Sequence, residues 1–184
     1  MLADDPLLNV RAVETPRQPI RAVIDRRFII DEKAALFNGD PVWLFVEDRA
    51  LTAAEQQKEA RLVQEKNARL IKIPLSNSDG ASEALDLHAV MAYLADNEIN
   101  EVHLEAGPRL NAAFLEANLM DEVLMYMAPK IIGPGREAFA LSPLQRLSEA
   151  RQMVFFEQQL VGTDIRLSAR DAQRWQAMLA AISE

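Results

Sequence analysis

The chain has 184 residues, 49% of them hydrophobic and 26% charged, the composition of a soluble globular domain and not of a disordered, collagenous or coiled-coil protein. It contains no cysteine, which excludes disulfide frameworks, thiol nucleophiles, thiolate zinc sites and iron–sulfur clusters, and agrees with a cytoplasmic location. Its formal charge of −8 repels a nucleic-acid backbone, so nucleic acid is not an expected partner.

The first six residues, Met1-Leu2-Ala3-Asp4-Asp5-Pro6, have neither the basic nor the apolar stretch of a secretory signal, and no apolar run reaches the roughly 18 residues of a membrane helix. No membrane partner is expected. The two histidines, His88 and His103, lack the spacing of a helical metal pair, and no metal site is assigned. Residues 4–18 read as an irregular arm. Arg21–Asp25 and Pro41–Glu47 read as strands, the second with a continuous apolar run suited to burial on both faces, and Asn38-Gly39-Asp40-Pro41 marks a turn between them. Thr52 followed by Glu55 forms a capping box that opens a helix running to Ala68. Leu70–Pro74 is a third strand, and Asn77-Ser78-Asp79-Gly80 a turn.

Asp86 is an N-cap, after which Leu87, Val90, Met91 and Leu94 share one face of a helix ending near Asn97. Val102–Glu105 reads as a short strand, Pro108 opens a helix to about Asn118, and Glu122–Met127 is a further strand. After the glycine turn at Gly133 and Gly135, strands are expected near Gln152–Gln158 and Asp164–Ser168. Residues 171–184 form a helical tail with Trp175, Met178, Leu179 and Ile182 on one face, suited to docking on the body or on a partner. Alternating strands and helices followed by strands alone predict an α/β fold, with a mostly parallel sheet, helices on both faces and an antiparallel C-terminal pair.

Chemistry concentrates at Glu105-Ala106-Gly107-Pro108-Arg109-Leu110-Asn111-Ala112-Ala113. Gly107 lets a ligand or another backbone approach closely, and the first-turn N–H groups, the helix end and the Arg109 guanidinium together suit a phosphate. A plain strand-to-helix turn with a solvated Arg109 fits the same residues. Glu105, at a strand's carboxyl end, can accept sugar hydroxyls or serve as an ion-pair partner. Asp4-Asp5-Pro6 reads either as a paired-carboxylate site or as a turn opening, and Arg11 either as a phosphate ligand or as a solvated cation. His88 and His103 read as structural. Gly133-Pro134-Gly135-Arg136 lacks the lysine and hydroxyl of a phosphate loop.

Asp4-Asp5-Pro6-Leu7-Leu8-Asn9-Val10-Arg11, Arg21-Ala22-Val23-Ile24-Asp25, Glu105-Ala106-Gly107-Pro108 with Leu110, Ala113-Phe114-Leu115-Glu116-Ala117 and Ala128-Pro129-Lys130-Ile131-Ile132-Gly133 together resemble, in the same order, the reductase domain of the riboflavin-biosynthesis deaminase/reductase. The resemblance implies a dihydrofolate-reductase-like fold over residues 1–170. It also implies NADPH-dependent reduction of 5-amino-6-(5-phosphoribosylamino)uracil to its ribitylamino form in a cytoplasmic homodimer. By the same resemblance Asp4 lies on the cofactor side, Leu8, Arg11 and Glu105 bind the pyrimidine ribose phosphate, and Gly107, Pro108, Arg109, Leu110, Asn111, Ala112 and Ala113 bind NADPH. No catalytic nucleophile is assigned, because the open-chain imine of such a substrate takes hydride directly at its former anomeric carbon and the protein orients the reactants. Arg109 stands where the family usually has threonine, a longer cation that either holds the phosphate more strongly or obstructs it. The family also has a strand before its Val-Leu-Ala-Asp-Asp-Pro motif, so the resemblance implies a reductase domain lacking its N-terminal strand segment. The zinc deaminase half of that family, whose signature needs cysteine, is not expected within these 184 residues. The rival expectation is a truncated, non-catalytic remnant serving as an oligomerisation or interaction module.

Overall fold

The computed structural model describes residues 4–39, 41–76 and 84–182. The expected turn at Asn77–Gly80 and the Asp40 position of the earlier turn lie outside them. The chain divides into two compact units, Met1–Val102 and His103–Glu184, each built on its own sheet.

The first unit holds a parallel sheet of β1 (Arg21–Ile24), β2 (Val42–Glu47) and β3 (Ala68–Ile73), with β2 in the centre. Because strand side chains alternate, Val42, Leu44 and Val46 enter one core with Leu62, whereas Trp43 and Phe45 enter another with Val90 and Leu94. Leu62 belongs to α1 (Ala53–Lys66) and the latter pair to α2 (Leu87–Asp96), so a helix covers each face. The apolar run of β2 is therefore buried on both sides, as its sequence predicts, each large side chain contributing about 1.5–3 kcal/mol. Tyr93 adds edge-on ring contacts to Trp43 and Phe45 at centroid distances of 5.8 and 5.7 Å.

The helix starts follow local chemistry. Thr52 and Glu55 make the reciprocal capping box, and the Asp86 side chain accepts from the His88 and Ala89 N–H groups. The first helix ends two residues before its expected end: Asn67 turns left-handed at φ 51° and Ala68 already pairs in β3, because a sheet partner for Ala68 competes with another helical turn.

The second unit comprises α3 (Pro108–Glu116), β4 (Glu122–Met127), β5 (Met153–Val161), β6 (Asp164–Asp171) and α4 (Ala172–Ile182), with the strands in the antiparallel order β4-β6-β5. The expected antiparallel pair thus gains β4 as a third strand. Gly162 sits at φ 61° in the two-residue turn between β5 and β6, where the twist of a tight hairpin demands a left-handed residue. Asp171 caps α4 by accepting from the Gln173 and Arg174 N–H groups. Arg170 lies 3.9 Å from the ring centroids of both Phe156 and Trp175, holding the start of α4 on the sheet.

The expected strand at Val102–Glu105 does not form; these residues are irregular. Val102 is exposed, and no strand among the described residues pairs with the segment. Alternating side chains favour extension, but a strand exists only when a neighbour takes its backbone groups. Among the described residues no helix is long and apolar enough to cross a membrane.

Candidate functional site

The residues singled out in the sequence divide between the units: Asp4, Leu8 and Arg11 belong to the first, Glu105 and Gly107–Ala113 to the second.

The arm lacks regular structure, yet side chains hold it closely. Asp5, not Asp4, is the anchored carboxylate, its Oδ1 accepting from the Ala35 N–H at 2.8 Å at the start of a short 3-10 turn, Ala35–Phe37. Asp4 is exposed. The buried Arg21 donates from Nη1 to the carbonyls of Leu7 and Asn38 at 3.4 and 3.2 Å. Gln18 clamps Val10 at two points: Oε1 accepts from its N–H at 2.8 Å, and Nε2 donates to its carbonyl at 3.1 Å. Asp5 and Leu8 adopt φ values of 39° and 50°. For an apolar residue such as Leu8 that left-handed conformation costs about 1–2 kcal/mol, which the anchors on either side offset. Arg11 projects into solvent next to the clamp.

Sequence reasoning missed Gln18 and Arg21 as organisers of this segment. Arg21 carried a usable signal, a cation opening an apolar strand whose alternate positions are buried. Gln18 carried none, since its partner is set by how the arm folds back.

In the second unit, Gly107 is the N-cap of α3 and Pro108 its first residue. Gly107 has φ −80° and ψ 170°, which any residue adopts, so the backbone does not require glycine there. A Cβ at Gly107 would meet nothing within 4 Å, so no other segment of the chain makes the close approach. No side chain caps the helix, and the first helical bond runs from the Asn111 N–H to the Gly107 carbonyl at 3.1 Å. The Arg109 and Leu110 N–H groups precede that bond and have no partner within the helix, at its positive end, with the exposed Arg109 side chain nearby in sequence. These features fit a phosphate group of a dinucleotide.

Asn111 is already engaged: its Nδ2 donates to the Ala138 carbonyl at 3.0 Å. The Ala140 N–H donates to the Pro108 carbonyl, also at 3.0 Å, so residues 138–140 are tied to the first turn of α3. Ala112 is buried with Phe114 and offers a ligand no side-chain surface. Glu105 is exposed and stands 3.6 Å from His103 Nε2, an ion-pair distance too long for a hydrogen bond. Its carboxylate oxygens thus remain able to accept hydroxyl groups, and the pair itself adds little stability in solvent. His88 is exposed on α2.

The family model of the RibD C-terminal domain matches residues 1–167. The riboflavin biosynthesis protein RibD of Escherichia coli (strain K12) is 33% identical over 180 residues, covering 91% of this chain and 45% of that protein. A 5-amino-6-(5-phosphoribosylamino)uracil reductase of Buchnera aphidicola subsp. Acyrthosiphon pisum is 30% identical over 183 residues, covering 91% of this chain and 80% of that protein. Among solved structures, Acinetobacter baumannii RibD in form 1 superposes with a TM-score of 0.73 at 26% identity, covering 94% of this chain and 44% of that one. The chain thus spans under half the length of the E. coli and Acinetobacter proteins. The arm, the open turn before α3 and the mixed α/β architecture occur together in one sequence matched along nearly its whole length, and the chain belongs to the RibD C-terminal domain family.

Proposed function

We propose that this chain carries a reductase activity of riboflavin biosynthesis, the NADPH-dependent conversion of 5-amino-6-(5-phosphoribosylamino)uracil to its ribitylamino form. The observation that carries the reading is the family match over residues 1–167, joined to the reductase name of the Buchnera relative. NADPH, when bound, supplies the hydride. The chain's own groups provide placement: the open turn at Gly107 and the N–H groups of Arg109 and Leu110 receive a cofactor phosphate, with the Arg109 guanidinium adding charge. Pro108, Asn111, Ala112 and Ala113 build the turn that presents them, and Asp4 lies on the cofactor side. Arg11 binds the substrate phosphate, Leu8 packs on the substrate, and Glu105 orients its hydroxyls. Holding two reactants in register lowers the barrier without a nucleophile.

NADPH oxidation in the presence of the named uracil derivative tests the proposal. Product formation that requires both NADPH and substrate is the expected result, and its absence with full binding of both ligands would sink it.

A second reading, an interaction module, draws on one observation: the second unit exposes Met125, Met127, Phe155 and Leu160. Across the ladders, Val123–Ala169–Phe155, Met125–Leu167–Gln158 and Met127–Ile165–Leu160 share one uncharged face. We infer that this face serves a homodimer, which sedimentation over a concentration series tests.

A further inference from the structure

Asn9 stands between Leu8 and Arg11, and its side chain carries the buried polar atom of this stretch that the fold leaves unmet. The Asn9 Oδ1 atom is closed off from solvent and has no hydrogen-bond partner among the described residues. A carbonyl oxygen in that state has lost its water and gained nothing, which calls for an explanation, and a donor brought by another molecule supplies one. The surroundings are not loose. Gln18 holds the adjoining Val10 through both main-chain groups, at 2.8 and 3.1 Å, and on the other side Leu8 is kept left-handed at φ 50°. Costs of both kinds, strain and an unmet acceptor, gather where a binding segment is held ready for its ligand.

We propose that Asn9 is a further substrate-binding residue, its Oδ1 accepting a hydrogen bond from an N–H on the pyrimidine edge of the substrate, with Gln18 as the positioning residue that clamps Val10 beside it. The inference rests on the reading of the arm as a substrate segment given above. Its chemistry selects the part of the ligand concerned. An ionised phosphate oxygen offers no hydrogen, so the Asn9 oxygen cannot serve the group assigned to Arg11. Ring N–H and amino groups of a pyrimidine do offer one, and the sugar hydroxyls, which offer one too, are assigned to Glu105. The outer torsion of asparagine is broad, so the carboxamide can turn to meet the ligand while Gln18 keeps the backbone fixed.

The test is calorimetric titration of the 184-residue chain with 5-amino-6-(5-phosphoribosylamino)uracil and, separately, with NADPH, with thermal melting alongside. Asn9→Leu removes the unmet acceptor at similar volume. It is expected to leave the melting temperature equal or higher and NADPH affinity unchanged, while substrate affinity falls roughly tenfold or more. Asn9→Asp keeps an acceptor at the same atom and is expected to retain more of the binding than Asn9→Leu. Gln18→Leu is expected to weaken substrate binding with NADPH affinity unchanged, a split that general loosening of the fold would not produce. If Asn9→Leu binds substrate like the parent while Arg11→Ala does not, the inference is overturned and the reading of the arm stands. Loss of both ligands together with stability would also overturn it, by making Asn9 structural. If the parent does not bind substrate, or Arg11→Ala binds as well as the parent, the reading of the arm falls and the inference falls with it.

Discussion

At Gly107 neither the backbone angles nor a neighbouring segment requires glycine, which leaves the proposed cofactor phosphate as the test of the missing side chain. With φ at −80° and no other segment within 4 Å of where a Cβ would stand, Gly107→Val is expected to fold, the poorer N-cap costing about 1 kcal/mol. The branched side chain would instead stand in the space assigned to the cofactor phosphate. Its affinity for NADPH, read by cofactor fluorescence, is expected to fall about tenfold or more, equivalent to about 1.4 kcal/mol. Unchanged affinity would remove the phosphate from this turn. Arg11 makes a complementary case, because its guanidinium projects freely beside the Gln18 clamp. Arg11→Ala should weaken substrate binding by about 1.5–3 kcal/mol, the range of a charge-assisted contact, and raise KM with little change in kcat. An equal loss for NADPH would point to a folding defect.

At the scale of an element, the start of α1 couples helix capping to pH. The Arg49 guanidinium contacts both carboxylate oxygens of Glu55, at 3.0 and 2.5 Å. That contact first, and then the bonds from Thr52, hold the Glu55 carboxyl at about 2, against an ordinary value of 4.5. A carboxyl whose pKa is lower in the folded state adds stability above its unfolded value, and that stability is lost as pH falls toward the folded one. The helix start should therefore weaken between about pH 4.5 and about pH 2. Glu55→Gln is expected to flatten this part of the acid limb in urea denaturation, and an unchanged limb would show that the carboxyl does not govern it. Thr52→Ala should cost about 1 kcal/mol near neutral pH by removing the cap.

The docking of α4 tests the second unit in the same way. Arg170→Ala removes a cation held 3.9 Å from two rings, each contact being worth about 0.5–1 kcal/mol at an exposed site. Amide exchange in α4 should quicken while that of β2 stays slow. If α4 exchanges as before, the stacking does not hold it.

For the molecule as a whole, the edges of the two sheets bear on self-association. Among the described residues, β1 and β3 are the edge strands of the first unit and β4 and β5 those of the second. β5 is nine residues long and carries neither proline nor lysine, although a bulge near Phe156 interrupts its register. Long unprotected edges and an uncharged exposed face favour self-association. Met125→Lys, which puts a charge on that face, is expected to shift sedimentation toward monomer while leaving far-ultraviolet dichroism unchanged. A parent chain that is already monomeric at high concentration would exclude association through this face.

What the sequence determined by itself is what neighbouring residues decide among themselves. The capping box at Thr52 and Glu55, the Asp86 cap, Pro108 at a helix start and the doubly buried run of β2 are all local: a side chain reaches a backbone group a few positions away, or an apolar run needs cover whatever supplies it. The tertiary structure decided the rest, wherever a group's partner is distant in the chain. Val102–Glu105 has the pattern of a strand and remains irregular, because a strand exists only by pairing. Asn111 reads as a ligand contact, and only the fold shows that its Nδ2 also donates to the Ala138 carbonyl, 27 positions away. Gln18 carries no motif and Arg21 only the signal of a cation opening an apolar strand, yet both hold the arm, since their value comes from which backbone groups the folded chain brings within about 3 Å. Hydrogen-bond chemistry is written in each residue, but the choice of partner belongs to the fold.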